Sequence, residues 1–365
     1  MKTLAIISPS NNSYSETFIR AHKLLPFNIK FYYGGWLPNH LEGNNTGLLN
    51  FSILQRIRIK WDKSFSVSEH AFGFSLKKQK IDCVLAEYGP TACGCLKVVE
   101  TLNIPMVVHF HGFDARRKVT IEEYSECYKK IFMYAYRIIA VSKQMKQDLI
   151  ELGCSADKII VSVCGPNRQF FEIRPDYLSR QFAAVGRFTH KKAPHLTIQA
   201  FNKVAKKMSS LKLVMAGDGE LLDTCKNLAE QLGLSEMIEF TGVLTPDEIK
   251  TLFSSSAAFV QHSLVAESGD SEGTPVAVLE AQAAALPVIS TFHAGIPDVV
   301  IDNETGLLVK ENDVEAMSNN MLRIISEQGL AEKLGIAGRE RVKENFTLEM
   351  HLKTLGQVIN DAIIH

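Results

Sequence analysis

No apolar run in this 365-residue chain approaches the ~18–20 residues needed to cross a bilayer, so the sequence contains no membrane-spanning helix. Paired cysteine motifs are also missing. The seven cysteines, at 83, 93, 95, 127, 154, 164 and 225, are odd in number, and no second pair or histidine pair completes a zinc set around Cys93 and Cys95. That pattern predicts scattered reduced core thiols and a cytoplasmic location. There is no Gly-x-x-x-x-Gly-Lys-Ser/Thr loop, and the first strand lacks a following Gly-x-Gly-x-x-Gly, which excludes a P-loop and the usual dinucleotide fingerprint. Residues 1–10 hold only a short apolar stretch before Asn11, Asn12 and Ser13, which reads as a first strand and not as a cleaved signal peptide.

Net charge is absent too, with 40 basic and 40 acidic residues, and no nucleic-acid partner is expected. The balance hides an asymmetry. Residues 1–172 hold 22 Lys+Arg against 15 Asp+Glu, and the remainder 18 against 25, or +7 and −7. Either the basic half faces an anionic membrane or phosphorylated acceptor, or the two halves merely attract each other.

The 46% apolar and 22% charged content is that of a folded globular chain with room for two domains. Short apolar strands alternate with helical segments in two series. The first runs through Leu4–Ser8, Lys30–Tyr33, Cys83–Glu87, Met106–Phe110, Arg137–Val141 and Ile159–Val163. The second runs through Phe182–Val185, Leu211–Ala216, Ile238–Thr241, Ala257–Gln261, Pro287–Ser290 and Leu307–Val309. This predicts two doubly wound, Rossmann-like α/β domains facing a central cleft, residues 1–172 and 173–346, divided at the Gly165–Pro175 punctuation. A last helix over about 347–365, capped by Thr347, is free to pack back on the first domain.

The most informative stretch is Glu272-Gly-Thr-Pro-Val-Ala-Val-Leu-Glu280, followed by Leu286-Pro-Val-Ile-Ser-Thr and Gly295-Ile-Pro-Asp298. On a helix, eight residues put Glu272 and Glu280 on one side. Gly273 permits close approach, Pro275 suits the first helical position, and the N–H groups of Thr274, Val276 and Ala277 face outward for oxygens. Two carboxylate acceptors beside such donors suit a ligand with both hydroxyls and phosphates, as a nucleotide-sugar has. Arg187 and Lys192, in Gly186-Arg-Phe-Thr-His-Lys-Lys192, supply cations for a diphosphate, with Lys191 solvated. Phe110-His-Gly-Phe-Asp114 ends a strand, with His111 looking outward and His109 in the core. Ser15 caps a helix start with Glu16 beside it, or the pair contacts the ligand. Gly217-Asp-Gly219 reads as a tight turn. Asp270-Ser-Glu272 is too sparse in oxygen ligands for a magnesium site. Leu48–Trp61 is a basic amphipathic helix with an aromatic end, suited either to an anionic membrane surface or to a core-facing position.

These motifs together resemble the retaining glycosyltransferases of family 4, with the GT-B fold, from about Phe182 to Val309 and again at Phe110–Asp114. By that resemblance Glu280 holds the ribose and Glu272 reaches the transferred sugar. Arg187 and Lys192 match the family's Gly-Arg…Lys-Gly element, with Ala193 where glycine is usual. His111 lies close to the donor sugar, and Asp114 orients its loop or touches the acceptor. Ser15-Glu-Thr-Phe-Ile19 resembles a subset concerned with bacterial surface polysaccharides. The resemblance implies transfer from a nucleotide-sugar, UDP-linked more often than GDP-linked, to a saccharide or lipid-linked acceptor, with no metal and no cofactor. An epimerase of the same fold, which would need further acid/base residues around the sugar, and a non-catalytic nucleotide-sugar-binding subunit are the alternatives.

Overall fold

The computed structural model describes residues 1–11, 16–208 and 210–365. They form two compact units, Met1–Ser162 with Leu352–His365, and Val163–His351. The strands of the first are β1 (Thr3–Ile7), β2 (Asn28–Tyr33), β3 (His40–Leu41), β4 (Cys83–Glu87), β5 (Met106–Phe110), β6 (Arg137–Ala140) and β7 (Ile159–Val161), in the order β3-β2-β1-β4-β5-β6-β7. Every pairing is parallel except that of β3 on β2. β1, β4 and β5 are buried along their whole length, which is why they read as continuous apolar runs.

The second unit holds β8 (Gln181–Val185), β9 (Lys212–Ala216), β10 (Ile238–Gly242), β11 (Ala258–Val260), β12 (Val288–Thr291) and β13 (Gly306–Val309), all parallel in the order β10-β9-β8-β11-β12-β13. In each sheet the first strand lies between neighbours reached in opposite directions, β1 between β2 and β4, and β8 between β9 and β11. Both units are therefore doubly wound, as expected. Such reversal points, beyond the carboxyl ends of the strands, are where open α/β sheets bind ligands.

The unit boundary falls at 162/163 and not at 172/173. Phe170 and Ile173 are buried with Val278, Leu279 and Leu286 in the second unit's core, so the Gly165–Pro175 punctuation lies inside that unit. The final helix, Leu348–Ile364, gives its last residues to the first unit. Leu355, Val358, Ile359 and Ala362 share a core with Leu4, Ile6, Leu85 and Ile139. Their i, i+3, i+4, i+7 spacing is one helical face. At about 1.5–3 kcal/mol per large buried aliphatic side chain, that face is a substantial part of the unit's stability.

Two expectations are corrected here. Cys93 and Cys127 form a disulfide, although Cys83, Cys95, Cys154, Cys164 and Cys225 are free and buried. The 34-residue separation gives no local motif; the helices Gly89–Thr101 and Lys118–Tyr134 bring the two Cα atoms within 6.0 Å. The helix Ile53–Trp61 does not face a core: Ile53, Leu54, Ile57 and Trp61 are all exposed, Trp61 by 81%. Among the described residues no helix is long and apolar enough to cross a membrane.

Candidate functional site

The second unit's reversal point gathers four loops. The segment leaving β8 begins with Gly186 and Arg187 and turns back through a short 3₁₀ turn, His190–Lys192. Ala193 then takes the left-handed conformation at φ +39°, before the helix Pro194–Ala205. A left-handed residue costs an L side chain strain, which accounts for glycine being usual at this position. Gly219, at φ +152°, lies where an added Cβ would come within 2.6 Å of the Phe188 carbonyl oxygen. The Gly217–Gly219 turn thus packs under the Arg187 loop.

Lys192 and Glu272 meet. The ammonium of Lys192 lies 3.1 Å from Oε1 of Glu272 and donates to Oε1 of Gln261 at 3.4 Å, with both charged side chains only 10–13% exposed. Burial pushes the Glu272 carboxyl up, but Lys192, Lys191 and His293 overcome it and hold the group at about 2. Burial likewise pulls Lys192 below the ordinary lysine range against the attraction of Glu272. Arg187 is exposed and makes no ion pair among the described residues. It shares a concavity with Lys192, Thr197, Ala216 and Gln261.

Lys191 is not solvated. It is buried, ion-paired to Asp270 at 3.0 Å and donating to the Ser271 carbonyl at 3.2 Å. Its stem and head are drawn in because the segment after β11 runs alongside, with the Leu264 N–H donating to the Lys191 carbonyl at 2.9 Å. Asp270 and Glu272 are therefore each neutralised by a lysine.

The helix after this segment spans Val276–Ala283, with Pro275 at its N-cap. Glu272 precedes it by four residues, so helical periodicity does not align Glu272 with Glu280. Gly273 and Thr274 are buried in the lead-in, and the Gly273 carbonyl accepts from the Gly295 N–H at 2.8 Å. The N–H groups of Val276 and Ala277 open the helix, where no intrahelical acceptor exists for them. Glu280 makes no ion pair among the described residues, and burial pushes its carboxyl up to about 7.

In the first unit, Glu87 ends β4 fully buried. It accepts from two imidazoles, His22 Nδ1 at 2.6 Å and His111 Nε2 at 2.8 Å, while His109 Nδ1 lies 3.4 Å from Oε2. Burial works against its charge, yet these histidines keep the carboxyl well below its usual range. His109 is fully buried, and burial with the neighbouring His111 lowers it to about 3, so it is neutral. Tyr88 follows at φ +75°, strained for a non-glycine, and its ring packs on His111 with centroids 4.7 Å apart. Glu16 accepts from Tyr88 Oη at 2.8 Å and from Ser10 Oγ at 2.7 Å. Ser15 lies outside the described residues.

Asp114 is fully buried and accepts from the N–H groups of His111, Gly112 and Gly89 at 2.9–3.1 Å. It orients the loop, and a carboxylate enclosed in this way offers no oxygen to an acceptor molecule. The sequence reading missed Glu87, His22, Gln261, His293 and Glu311. A carboxylate on the last residue of a strand was a signal for Glu87; the others face their partners only through tertiary packing.

Two family models match the chain: "Glycosyl transferases group 1" over residues 167–341 and "Glycosyltransferase Family 4" over residues 44–169. The amylovoran biosynthesis glycosyltransferase AmsK of Erwinia amylovora is 28% identical over 74% of this chain and 68% of its own length. The putative colanic acid biosynthesis glycosyltransferase WcaL of Escherichia coli is 28% identical over 77% of this chain and 70% of its own. Among solved structures, a Rickettsia africae glycosyltransferase superposes with a TM-score of 0.76 at 19% identity, covering 99% of this chain and 98% of that one. Anabaena HepE, crystallised with UDP and glucose, gives 0.79 at 13% identity over 99% and 100%. The fold is that of GT-B enzymes.

Proposed function

The chain belongs to the glycosyltransferases that these two models describe, and from that premise we propose that it transfers a glycosyl unit from a UDP-sugar to a saccharide or lipid-linked saccharide in cell-surface polysaccharide synthesis. The Lys192–Glu272 contact carries the reading. A cation and a carboxylate held together at the reversal point suit the two ends of one donor, phosphate and hexose. Names of relatives such as AmsK and WcaL, and the UDP bound to HepE, support the product class and the nucleotide.

In this reading Glu272 hydrogen-bonds the hexose and Glu280 the ribose. The N–H groups of Val276 and Ala277, at the positive end of their helix, meet phosphate oxygens. Arg187 and Lys192 offset the charge that grows on the departing diphosphate. Since Asp270 and Glu272 are already paired with lysines, the scheme needs no metal and no cofactor. The bond from the anomeric carbon to the diphosphate breaks, and a bond to the acceptor oxygen forms on the same face. The acceptor's proton passes to the leaving phosphate, so configuration is retained. His111 is the first unit's candidate contact to sugar.

The exposed apolar face of Ile53–Trp61, beside Arg56 and Lys60, is proposed to rest on the cytoplasmic surface of an anionic membrane. The core experiment is nucleotide release from a panel of UDP- and GDP-sugars. UDP-sugar turnover is expected, and a protein that neither binds nor turns over any nucleotide-sugar contradicts the proposal.

A further inference from the structure

Glu272 is held from behind as well as in front. β12 leads to His293 and β13 to Glu311, and neither residue enters the donor contacts above. The His293 side chain is 1% exposed. Its Nδ1 lies 2.6 Å from Oε1 of Glu311, and its Nε2 lies 3.1 Å from the backbone nitrogen of Glu272. A backbone N–H can only donate, so Nε2 must be the acceptor. The ring proton then sits on Nδ1 and is donated to Glu311. Only the neutral Nδ1–H form satisfies both partners, because an imidazolium would set a second N–H against that of Glu272.

Glu311 is itself anchored, its Oε2 accepting from the Val265 N–H at 3.0 Å. The segment 265–273 is thus tied at three further points, by Glu311 at Val265, by Lys191 at Asp270 and Ser271, and by Gly295 at Gly273. His293 is the tie that acts on Glu272 itself.

We propose that His293, oriented by Glu311, is a positioning residue for the transferred sugar: its neutral ring pins the Glu272 peptide so that the Glu272 carboxylate stays against Lys192 where the donor's hexose is read. This rests on the donor-site reading and touches no reacting atom. The titratable groups that interact with the ring are Glu272 before the Val276–Ala283 helix, Glu311 after β13, and His262 after β11, which burial lowers to about 4.

The test uses the full chain. Two-bond nitrogen–proton correlation on histidine-labelled protein at pH 7.5, with the His293 signal assigned by its loss in His293→Gln, is expected to show the Nδ1–H tautomer; an Nε2–H tautomer overturns the proposal. Amide exchange read by mass spectrometry should accelerate about tenfold across 264–276 in His293→Phe, the loss of one hydrogen bond. His293→Gln, whose amide oxygen reaches about as far as Nε2, should restore protection. Unchanged exchange in His293→Phe overturns the proposal.

Titration with UDP, UDP-glucose, GDP and GDP-mannose supplies the functional readout. His293→Phe should lose the affinity that the sugar adds and keep the affinity for the bare nucleotide. Equal loss for both would mean a merely structural residue. If the wild-type protein binds none of the four probes, the donor-site reading fails, and the tautomer and exchange results still decide the pin.

Discussion

Lys192 and Glu272 stand 3.1 Å apart although 80 residues separate them, one on the loop leaving β8 and the other before the helix Val276–Ala283. Removing one member of a buried pair leaves an uncompensated charge, at a cost of about 3–5 kcal/mol. Lys192→Met should therefore destabilise more than Lys192→Met combined with Glu272→Gln, as measured by urea unfolding. The pair also sets an acid limit. The Glu272 carboxyl is held below its unfolded value, so its stabilisation is complete above about pH 4.5 and is lost as pH falls toward about 2. Equal stability of the single and double variants would mean that the two charges do not depend on each other.

Glu280 predicts the opposite pH dependence. Its carboxyl is raised to about 7 by burial, so the folded state holds a proton that the unfolded state releases. Stability from this group falls as pH rises from about 4.5 to 7 and is flat above that. Glu280→Gln, which is never charged, should gain about 1–3 kcal/mol over the wild type at pH 8, the usual penalty for an unpaired buried polar group, and little at pH 4.5. It should also weaken ribose binding. A gain that does not change between pH 4.5 and 8 would assign Glu280 to an ordinary solvated surface.

Much of this arrangement was legible in the chain. Fully buried parallel strands leave continuous apolar runs, so the two doubly wound sheets could be read, and Arg187 and Lys192 lie on the loop leaving β8. What failed was information carried by packing alone. The disulfide joins cysteines on two neighbouring helices, and Lys191 is drawn inward by Asp270, a residue 79 positions away. The eight-residue Glu spacing suggested one helix face, yet the helix begins only at Val276. β3, with two residues, is too short to show any period.

Arg187 is exposed and structurally unencumbered, so Arg187→Ala should unfold at the same temperature as the wild type. Its loss should appear in catalysis alone. A charged hydrogen bond is worth about 1.5–3 kcal/mol, roughly ten- to hundredfold in turnover. If Arg187 and Lys192 meet the diphosphate charge as proposed, turnover of the wild type should survive EDTA. Near-normal kinetics in a folded Arg187→Ala variant would remove the residue from the site.

The exposed helix Ile53–Trp61 predicts sedimentation with phosphatidylglycerol vesicles at low salt, weakened at 0.5 M salt as charge attraction is screened. Trp61→Glu should reduce it further by removing buried aromatic area and adding repulsion, without changing donor turnover in solution. Equal recovery with neutral and anionic vesicles would remove the charge attraction, and none with either would separate this face from membranes.

A donor site in the second unit is tested by the melting temperature of the whole chain against increasing UDP-glucose and UDP, for the wild type and for Glu280→Ala. A ligand that binds the folded state at one hundred times its Kd stabilises it by about 2.7 kcal/mol. A donor site there gives a saturable rise for the wild type and its loss in Glu280→Ala. A rise that is identical in the variant would contradict it.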